Sequence, residues 1–131
     1  MRCRGSRLTL SSVVVTFCLL CGASLQAQPS IQFAAIGDYG LAGRVEMDVS
    51  NLVKSWNPDF VITLGDNNYE YGEASTIDKN IGQYYHAFIS PYAGSFGTGD
   101  TVNRFFPALG NHDWLTAGAQ PYLDYFTLPG N

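Results

Sequence analysis

Three short apolar runs in this sequence end in the same way, and this shared ending strongly constrains the fold. Each run leads into a glycine and then a side-chain oxygen, in Ile36-Gly37-Asp38, Leu64-Gly65-Asp66 and Leu109-Gly110-Asn111. Uncharged runs of this length, bounded by glycine, are typical of strands buried on both faces of a parallel sheet. Parallel strands place their carboxyl ends at one edge, where ligands bind. The sequence therefore predicts that three oxygen donors converge at one sheet edge.

Two helical patterns separate these runs. Apolar residues recur at helical spacing over residues 44–56, and the chain then turns at a Trp-Asn-Pro-Asp sequence. A second helix is predicted from Ile77 to Ile89, with Ser75 or Thr76 as its cap and Pro91 as its stop. The helices therefore alternate with the apolar runs along the chain.

The strands are predicted over residues 31–37, 60–64 and 105–109. The third contains Pro107, which favours an edge position or a bent strand because proline cannot donate to the ladder. The order strand, helix, strand, helix, strand is that of an α/β fold, with parallel strands joined by right-handed crossovers.

The first 27 residues have the pattern of a secretory signal peptide. Three arginines precede an uncharged, largely apolar run from Leu8 to Leu20, and small residues allow cleavage after Ala27, with Ser24 as the second choice. A lipid anchor on Cys21 is a less favoured alternative. All three cysteines precede these cleavage sites, so no disulfide or thiolate site is expected in residues 28–131. We expect a secreted or periplasmic protein with no stable membrane association after cleavage.

The acidic charge of residues 28–131 indicates which kinds of ligand this part of the chain can bind. Four of the seven Lys and Arg follow residue 27, together with all eleven Asp and Glu, and nucleic-acid binding instead asks for a basic surface. Two carboxylates at one sheet edge repel each other unless a cation or a proton lies between them. Their hard oxygens suit Fe(III), Mn, Mg or Zn. The alternative for Asp38, Asp66 and Asn111, each taken alone, is a turn residue after a strand.

Three motifs carry a resemblance to a known family. GDYG (37–40), GDNNY (65–69) and GNHD (110–113), in this order and each after an apolar strand, resemble the first three motifs of the calcineurin-like metallophosphoesterases. The wider superfamily has a metal-binding His two residues after the first Asp, where this chain has Gly40. Purple acid phosphatases lack that His and have a Tyr three residues after the second Asp, where this chain has Tyr69. The chain is therefore most similar to the purple acid phosphatases.

The resemblance implies a dinuclear metal site that hydrolyses phosphate monoesters, so the partner would be a small phosphoester. Asp38 and Tyr69 would bind Fe(III), Asp66 would bridge both metals, and Asn111 would bind the second, divalent metal, which is Fe, Zn or Mn. A phenolate bound to Fe(III) gives members of this family their colour.

The same resemblance assigns the remaining residues of the third motif. His112 would stabilise the substrate phosphate or protonate the leaving group, and Asp113 would orient its imidazole. The family's site has three further metal-binding histidines, and this sequence contains only His86 and His112. His86 is interpreted as a packing or surface residue, so four of the seven expected ligands are present.

The family fold has two β-sheets packed face to face with helices outside, in four layers. Residues 28–131 would supply the βαβαβ portion of one sheet, an incomplete N-terminal part. We expect this chain to expose part of that sheet and to have little or no activity by itself.

Two alternatives stay open. One is a phosphodiesterase or nucleotidase of the same superfamily that uses Zn or Mn, against which Tyr69 weighs. The other is a non-catalytic exported remnant. Metal analysis and a phosphoesterase assay separate the enzymes from the inert chain.

Overall fold

The computed structural model describes residues 29–128, which are built around a three-stranded parallel sheet. Its strands are β1 (Phe33–Ile36), β2 (Phe60–Thr63) and β3 (Phe105–Phe106), in the order β1-β2-β3. Both pairings are parallel, as the sequence predicts. The predicted signal peptide at residues 1–27 lies outside the described residues.

The strand register brings the carboxyl ends of the three strands to one edge of the sheet. Ile62 in the central strand pairs with Ala35 of β1 on one side and with Phe106 of β3 on the other. β3 ends at Phe106, directly before Pro107, and it is an edge strand, which confirms the effect expected of the proline. The loops after all three strands therefore start side by side.

Helices connect and follow the strands. The long helix α1 (Arg44–Ser55) joins β1 to β2, as predicted. A second helical region joins β2 to β3 and consists of α2 (Ala74–Ile77), a π-helical segment (Asp78–Gly82), α3 (Gln83–Tyr85) and a 3-10 turn (His86–Phe88). Two 3-10 turns (Asp113–Leu115 and Ala117–Ala119) and α4 (Gln120–Tyr125) come last. None of the helices within residues 29–128 has the length and apolar character needed to cross a membrane.

The second helical region begins earlier than predicted. Its first residue is Ala74, with Glu73 as the N-cap, so the predicted caps lie inside the helix. The Thr76 hydroxyl still lies at the start of the helix, within hydrogen-bond distance of the Glu73 carbonyl at 3.0 Å and of Oδ1 of Asn68 at 2.8 Å. The region ends at Phe88, before the predicted stop at Pro91.

One face of the sheet is open, which corrects the prediction that the strands are buried on both faces. Burial alternates along β1, where Ala34 is buried and Phe33 is 54% exposed. On the open face the Phe33 ring stacks on Phe60 at 5.4 Å, and Phe60 meets Phe106 edge-on at 5.8 Å. The apolar runs are therefore continuous because the residues on the open face are aromatic. The expected exposure of part of the sheet is confirmed.

The opposite face carries the hydrophobic core. Val53 from α1, Val61 from β2 and Phe105 from β3 are buried together there. The last helix closes this core, since Phe126 stacks on Phe105 at 5.8 Å and the Tyr122 hydroxyl donates to the Pro107 carbonyl at 2.7 Å. Burial of each large apolar side chain of this kind stabilises the fold by about 2 kcal/mol.

A buried carboxyl lies on the inner side of α1. Glu46 is 3% exposed. Burial raises its pKa to about 7, although the neighbouring Tyr85 hydroxyl and, more weakly, Lys54 act to lower it. The oxygen Oε1 of Glu46 and the hydroxyl of Tyr85 lack a hydrogen bond of ordinary geometry within the described residues. Near neutral pH this carboxyl is therefore part protonated.

The raised pKa of Glu46 predicts that the contribution of this residue to the stability of the fold decreases as the pH rises. The folded protein holds the proton of Glu46 up to a pKa of about 7, whereas the unfolded chain releases it near 4.5. The contribution of Glu46 to the free energy of unfolding should therefore be fully present below pH 4.5 and should fall by roughly 1–3 kcal/mol up to pH 7. Urea unfolding of Glu46→Gln should lose this decline, and the exposed control Glu73→Gln should keep it. An equal decline in Glu46→Gln would contradict the assignment.

Candidate metal centre

The loops after β1 and β2 contact each other through their backbones. A Cβ atom at position 40 would overlap the carbonyl oxygen of Asn67, so only glycine fits there. The Gly40 carbonyl accepts a hydrogen bond from the Tyr69 N–H at 2.8 Å. Gly40 and Tyr69, the two positions that distinguish the purple acid phosphatase pattern, are therefore in direct contact.

The loops after β2 and β3 are equally close. Gly65 has a φ of 111°, and a Cβ there would come within 2.9 Å of the Gly110 Cα. A Cβ on Gly110 would overlap the backbone and the carboxylate of Asp66. The glycines of the three motifs thus allow the loops to approach at the sheet edge.

The aspartates of the first two motifs have a left-handed backbone. The φ angles of Asp38 and Asp66 are 51° and 53°. Such a conformation is uncommon outside glycine and costs about 1–2 kcal/mol, although Asp tolerates it better than most residues. It recurs after two neighbouring strands, and strained backbone of this kind is concentrated at functional sites.

The side chains of Asp38, Asp66 and Tyr69 meet and form an oxygen triad. The Tyr69 hydroxyl lies 2.8 Å from Oδ1 of Asp38 and 3.1 Å from Oδ2 of Asp66. A phenol has one proton to donate, so it cannot fully satisfy two carboxylates. The structure therefore brings together three of the four predicted metal ligands around a single shared proton.

The protonation of the triad follows from its surroundings. Burial, together with the two carboxylates, raises the pKa of Tyr69 well above its ordinary value. Burial also acts to raise the pKa of Asp66, but the His112 N–H and the Tyr69 hydroxyl outweigh it and hold that pKa below its usual range. In the absence of a cation, Tyr69 is thus a protonated donor between carboxylates.

No Lys or Arg side chain of the described residues forms an ion pair with the triad. The two ion pairs within residues 29–128 join Arg44 to Asp48 and Arg104 to Asp100. A group of three or more His, Cys, Asp or Glu side chains fit to hold a metal ion is also absent from this range. The triad differs from such a group because one of its three oxygens is a phenol. Its hard oxygen donors fit a trivalent cation such as Fe(III).

His112 lies beside the triad and is held at both its backbone and its ring. Its N–H donates to Oδ1 of Asp66 at 3.0 Å, and its ring lies 4.3 Å from the Tyr69 ring. Nδ1 is 2.7 Å from the Glu70 carbonyl. Because a carbonyl only accepts, Nδ1 carries a proton, which leaves Nε2 to exchange one with a ligand.

Asp113 has partners other than the predicted one. Its carboxylate is 1% exposed and accepts from the N–H groups of Asn67 and Gly110 and from the side-chain amide of Asn67. The structure gives the orienting contact on the His112 ring to the Glu70 carbonyl instead. This contact has no signal in the sequence, because any residue at position 70 supplies a carbonyl.

Asn111 lies between two residues that approach Asp66, but its side chain makes no hydrogen bond to the triad. The residues on both sides contact Asp66, Gly110 by packing and His112 by its N–H. Asn111 is exposed, and its amide makes none of the hydrogen bonds found among residues 29–128. Its binding of a second metal stays a prediction.

The close approach at Gly40 predicts a large stability loss for a small substitution. Gly40→Ala should lower the free energy of unfolding by about 3 kcal/mol, because the added methyl group overlaps the Asn67 carbonyl and forces the loops apart. Gly43→Ala is the matched control, since a Cβ there meets nothing within 4 Å. Urea unfolding of the two variants measures the difference. Equal stabilities would show that the loops are not in contact.

No protein-family model matches this chain, and neither does any curated protein sequence. The interpretation of the site therefore depends on its own residues. These are the oxygen triad, the imidazole beside it and the glycines that bring the loops together.

Proposed function

We propose that the oxygen triad is the Fe(III) site of a dinuclear metallophosphoesterase of the purple acid phosphatase type, which hydrolyses phosphate monoesters. One observation carries the proposal. The Tyr69 hydroxyl lies within hydrogen-bond distance of the Asp38 and Asp66 carboxylates, which share its one proton and form no ion pair with a Lys or Arg side chain among the described residues. Such a cluster is stabilised by a cation.

The charge of the ligands suits a trivalent ion. Asp38, Asp66 and a deprotonated Tyr69 supply a charge of −3. With Fe(III) and a divalent ion of Fe, Zn or Mn the centre keeps a net positive charge, which attracts a phosphate dianion even in an acidic protein. The two carboxylate oxygens of Asp66 face different neighbours, since Oδ2 faces the Tyr69 hydroxyl and Oδ1 accepts a hydrogen bond from the His112 N–H. This arrangement supports a bridging role for Asp66, and Asn111 is the proposed ligand of the second metal.

When bound, the two metals would lower the pKa of the attacking water and neutralise charge on the phosphoryl oxygens. His112 contributes a proton at a defined atom. The Glu70 carbonyl holds Nδ1–H, so Nε2–H donates to a phosphoryl oxygen or to the departing alkoxide. Packing of the imidazole on the Tyr69 ring restricts its rotation.

The proposal also extends to the fold. The three-stranded sheet would be the βαβαβ portion of one sheet in the four-layer sandwich of this family. The open face with its row of Phe33, Phe60 and Phe106 is where such a sandwich places its second sheet. Four of the seven ligands lie in this chain, so metal binding and phosphate binding test the proposal more directly than turnover does.

The proposal predicts an iron-dependent colour. Titration of the chain with Fe(III) should produce a visible tyrosinate-to-iron absorption band, and Tyr69→Phe should abolish it. Tyr71→Phe is the matched control, because Tyr71 is 63% exposed and its hydroxyl makes no hydrogen bond within residues 29–128. Loss of the band in both variants, or its absence from the unaltered chain, would contradict the assignment of Tyr69.

The role of His112 predicts a defect in phosphate binding. Addition of inorganic phosphate to the iron-loaded chain should shift the band, and His112→Asn should weaken phosphate binding by about tenfold, since one charge-assisted hydrogen bond is lost. His86→Asn, on the second helical region, should leave it unchanged. A phosphate diester that shifts the band at lower concentration than phosphate would favour the phosphodiesterase alternative. A chain that binds neither iron nor phosphate is the inert remnant.

A further inference from the structure

Three residues of the proposed centre are each followed in the chain by a buried polar residue. Tyr39 follows Asp38, Asn67 follows Asp66, and Asp113 follows His112. The three followers are at most 5% exposed. Their side chains, together with the Thr63 hydroxyl, form one hydrogen-bonded group beneath the triad, which we name the polar cluster.

Asn67 is the centre of the polar cluster. Its Oδ1 accepts from the hydroxyls of Tyr39 at 2.9 Å and Thr63 at 2.6 Å. Its Nδ2 donates to the Ala108 carbonyl at 2.7 Å and to Oδ2 of Asp113 at 2.8 Å. An amide side chain has two acceptor and two donor positions, and all four are used.

The contacts of Asn67 fix one orientation of its amide. A flipped side chain would place its oxygen against the Ala108 carbonyl and the Asp113 carboxylate, which are both acceptors. A buried pair of acceptors without a proton costs about 1–3 kcal/mol. Because Asn67 is 0% exposed, water cannot relieve this cost.

Asp113 completes the connection to the third loop. Its carboxylate accepts from the N–H of Asn67 at 3.2 Å and from the N–H of Gly110 at 2.8 Å, besides the Asn67 amide. The buried negative charge is thus compensated by N–H donors from two loops. Loss of either partner separates the loop that carries Asp66 from the loop that carries His112.

We propose that Asn67 is a positioning residue of the metal centre. Through Tyr39 and Asp113 it sets the spacing of Asp38, Asp66 and His112, while touching neither metal nor substrate. The identity of the centre rests on the proposed function, but the spacing itself does not. Ligand geometry must be held to about 0.5 Å for a working site, and a fully satisfied buried network supplies that rigidity.

The test uses an isosteric change. Asn67→Asp replaces Nδ2 by an oxygen that faces the Ala108 carbonyl and Asp113. We expect Fe(III) to bind at least tenfold more weakly and its absorption band to shift. The double variant Asn67→Asp/Asp113→Asn returns an amide nitrogen to this contact and should recover part of the affinity. Val53→Ala, a core change in α1, is the control for lost stability and should leave both affinity and band unchanged.

A milder variant guards against unfolding. Tyr39→Phe removes the hydrogen bond to Asn67 and keeps the ring in the core, so this variant should fold. We expect it to bind Fe(III) several-fold more weakly than the unaltered chain. Folded Asn67→Asp or Tyr39→Phe protein with unaltered affinity and band would overturn the proposal and leave Asn67 a purely stabilising residue.

A readout without iron separates this proposal from the proposed function. The His112 N–H donates to Asp66, so its amide proton resonance should move upfield in Asn67→Asp and stay in place in Val53→Ala. If the unaltered chain gives no iron band, the phosphatase proposal fails, and this resonance still decides the positioning role. An unmoved His112 resonance in folded Asn67→Asp would overturn it.

Discussion

The close backbone contact between the three loops at the sheet edge is the constraint on which the rest of the site depends. Parallel strands bring the loops side by side, but side chains at positions 40, 65 and 110 would hold them apart. With glycine at these positions, the Tyr69 N–H reaches the Gly40 carbonyl and the His112 N–H reaches Asp66. The convergence of acidic oxygens is thus a product of backbone packing, and the hydrophobic core beneath stabilises it.

This packing concentrates negative charge that no Lys or Arg ion pair of the described residues neutralises. A buried carboxylate normally finds a basic side chain or several N–H donors, and Asp113 follows the second course. Asp38 and Asp66 instead share a phenol between them. The contrast separates an acid that is satisfied by N–H donors from two acids that share a single phenol proton, although all three lie in neighbouring loops.

The sequence predicts the parts of this protein that are encoded locally. The apolar runs, their glycine ends and the periodicity of residues 44–56 specify β1, β2 and α1, and with them the meeting of Asp38 and Asp66. The burial of Asn67 could not be predicted, because its hydrogen-bond partners include residues 28, 41 and 46 positions away in the chain. The six-residue α4 was missed since it is too short for a periodic signal, although Pro121 near its start is typical of a helix N-terminus.

In each motif loop a buried residue of the polar cluster directly follows a residue of the proposed centre, and this order has a consequence for changes of chain length. Insertion or deletion of a single residue after Gly37, Gly65 or Gly110 would shift each residue of the proposed centre into the position of its neighbour in the polar cluster, and the reverse. The cluster residue would then point outward, and the acid or imidazole would turn into the core. These loops should therefore tolerate length variation far less than the glycine-rich stretch over residues 93–102, even though both are irregular in structure.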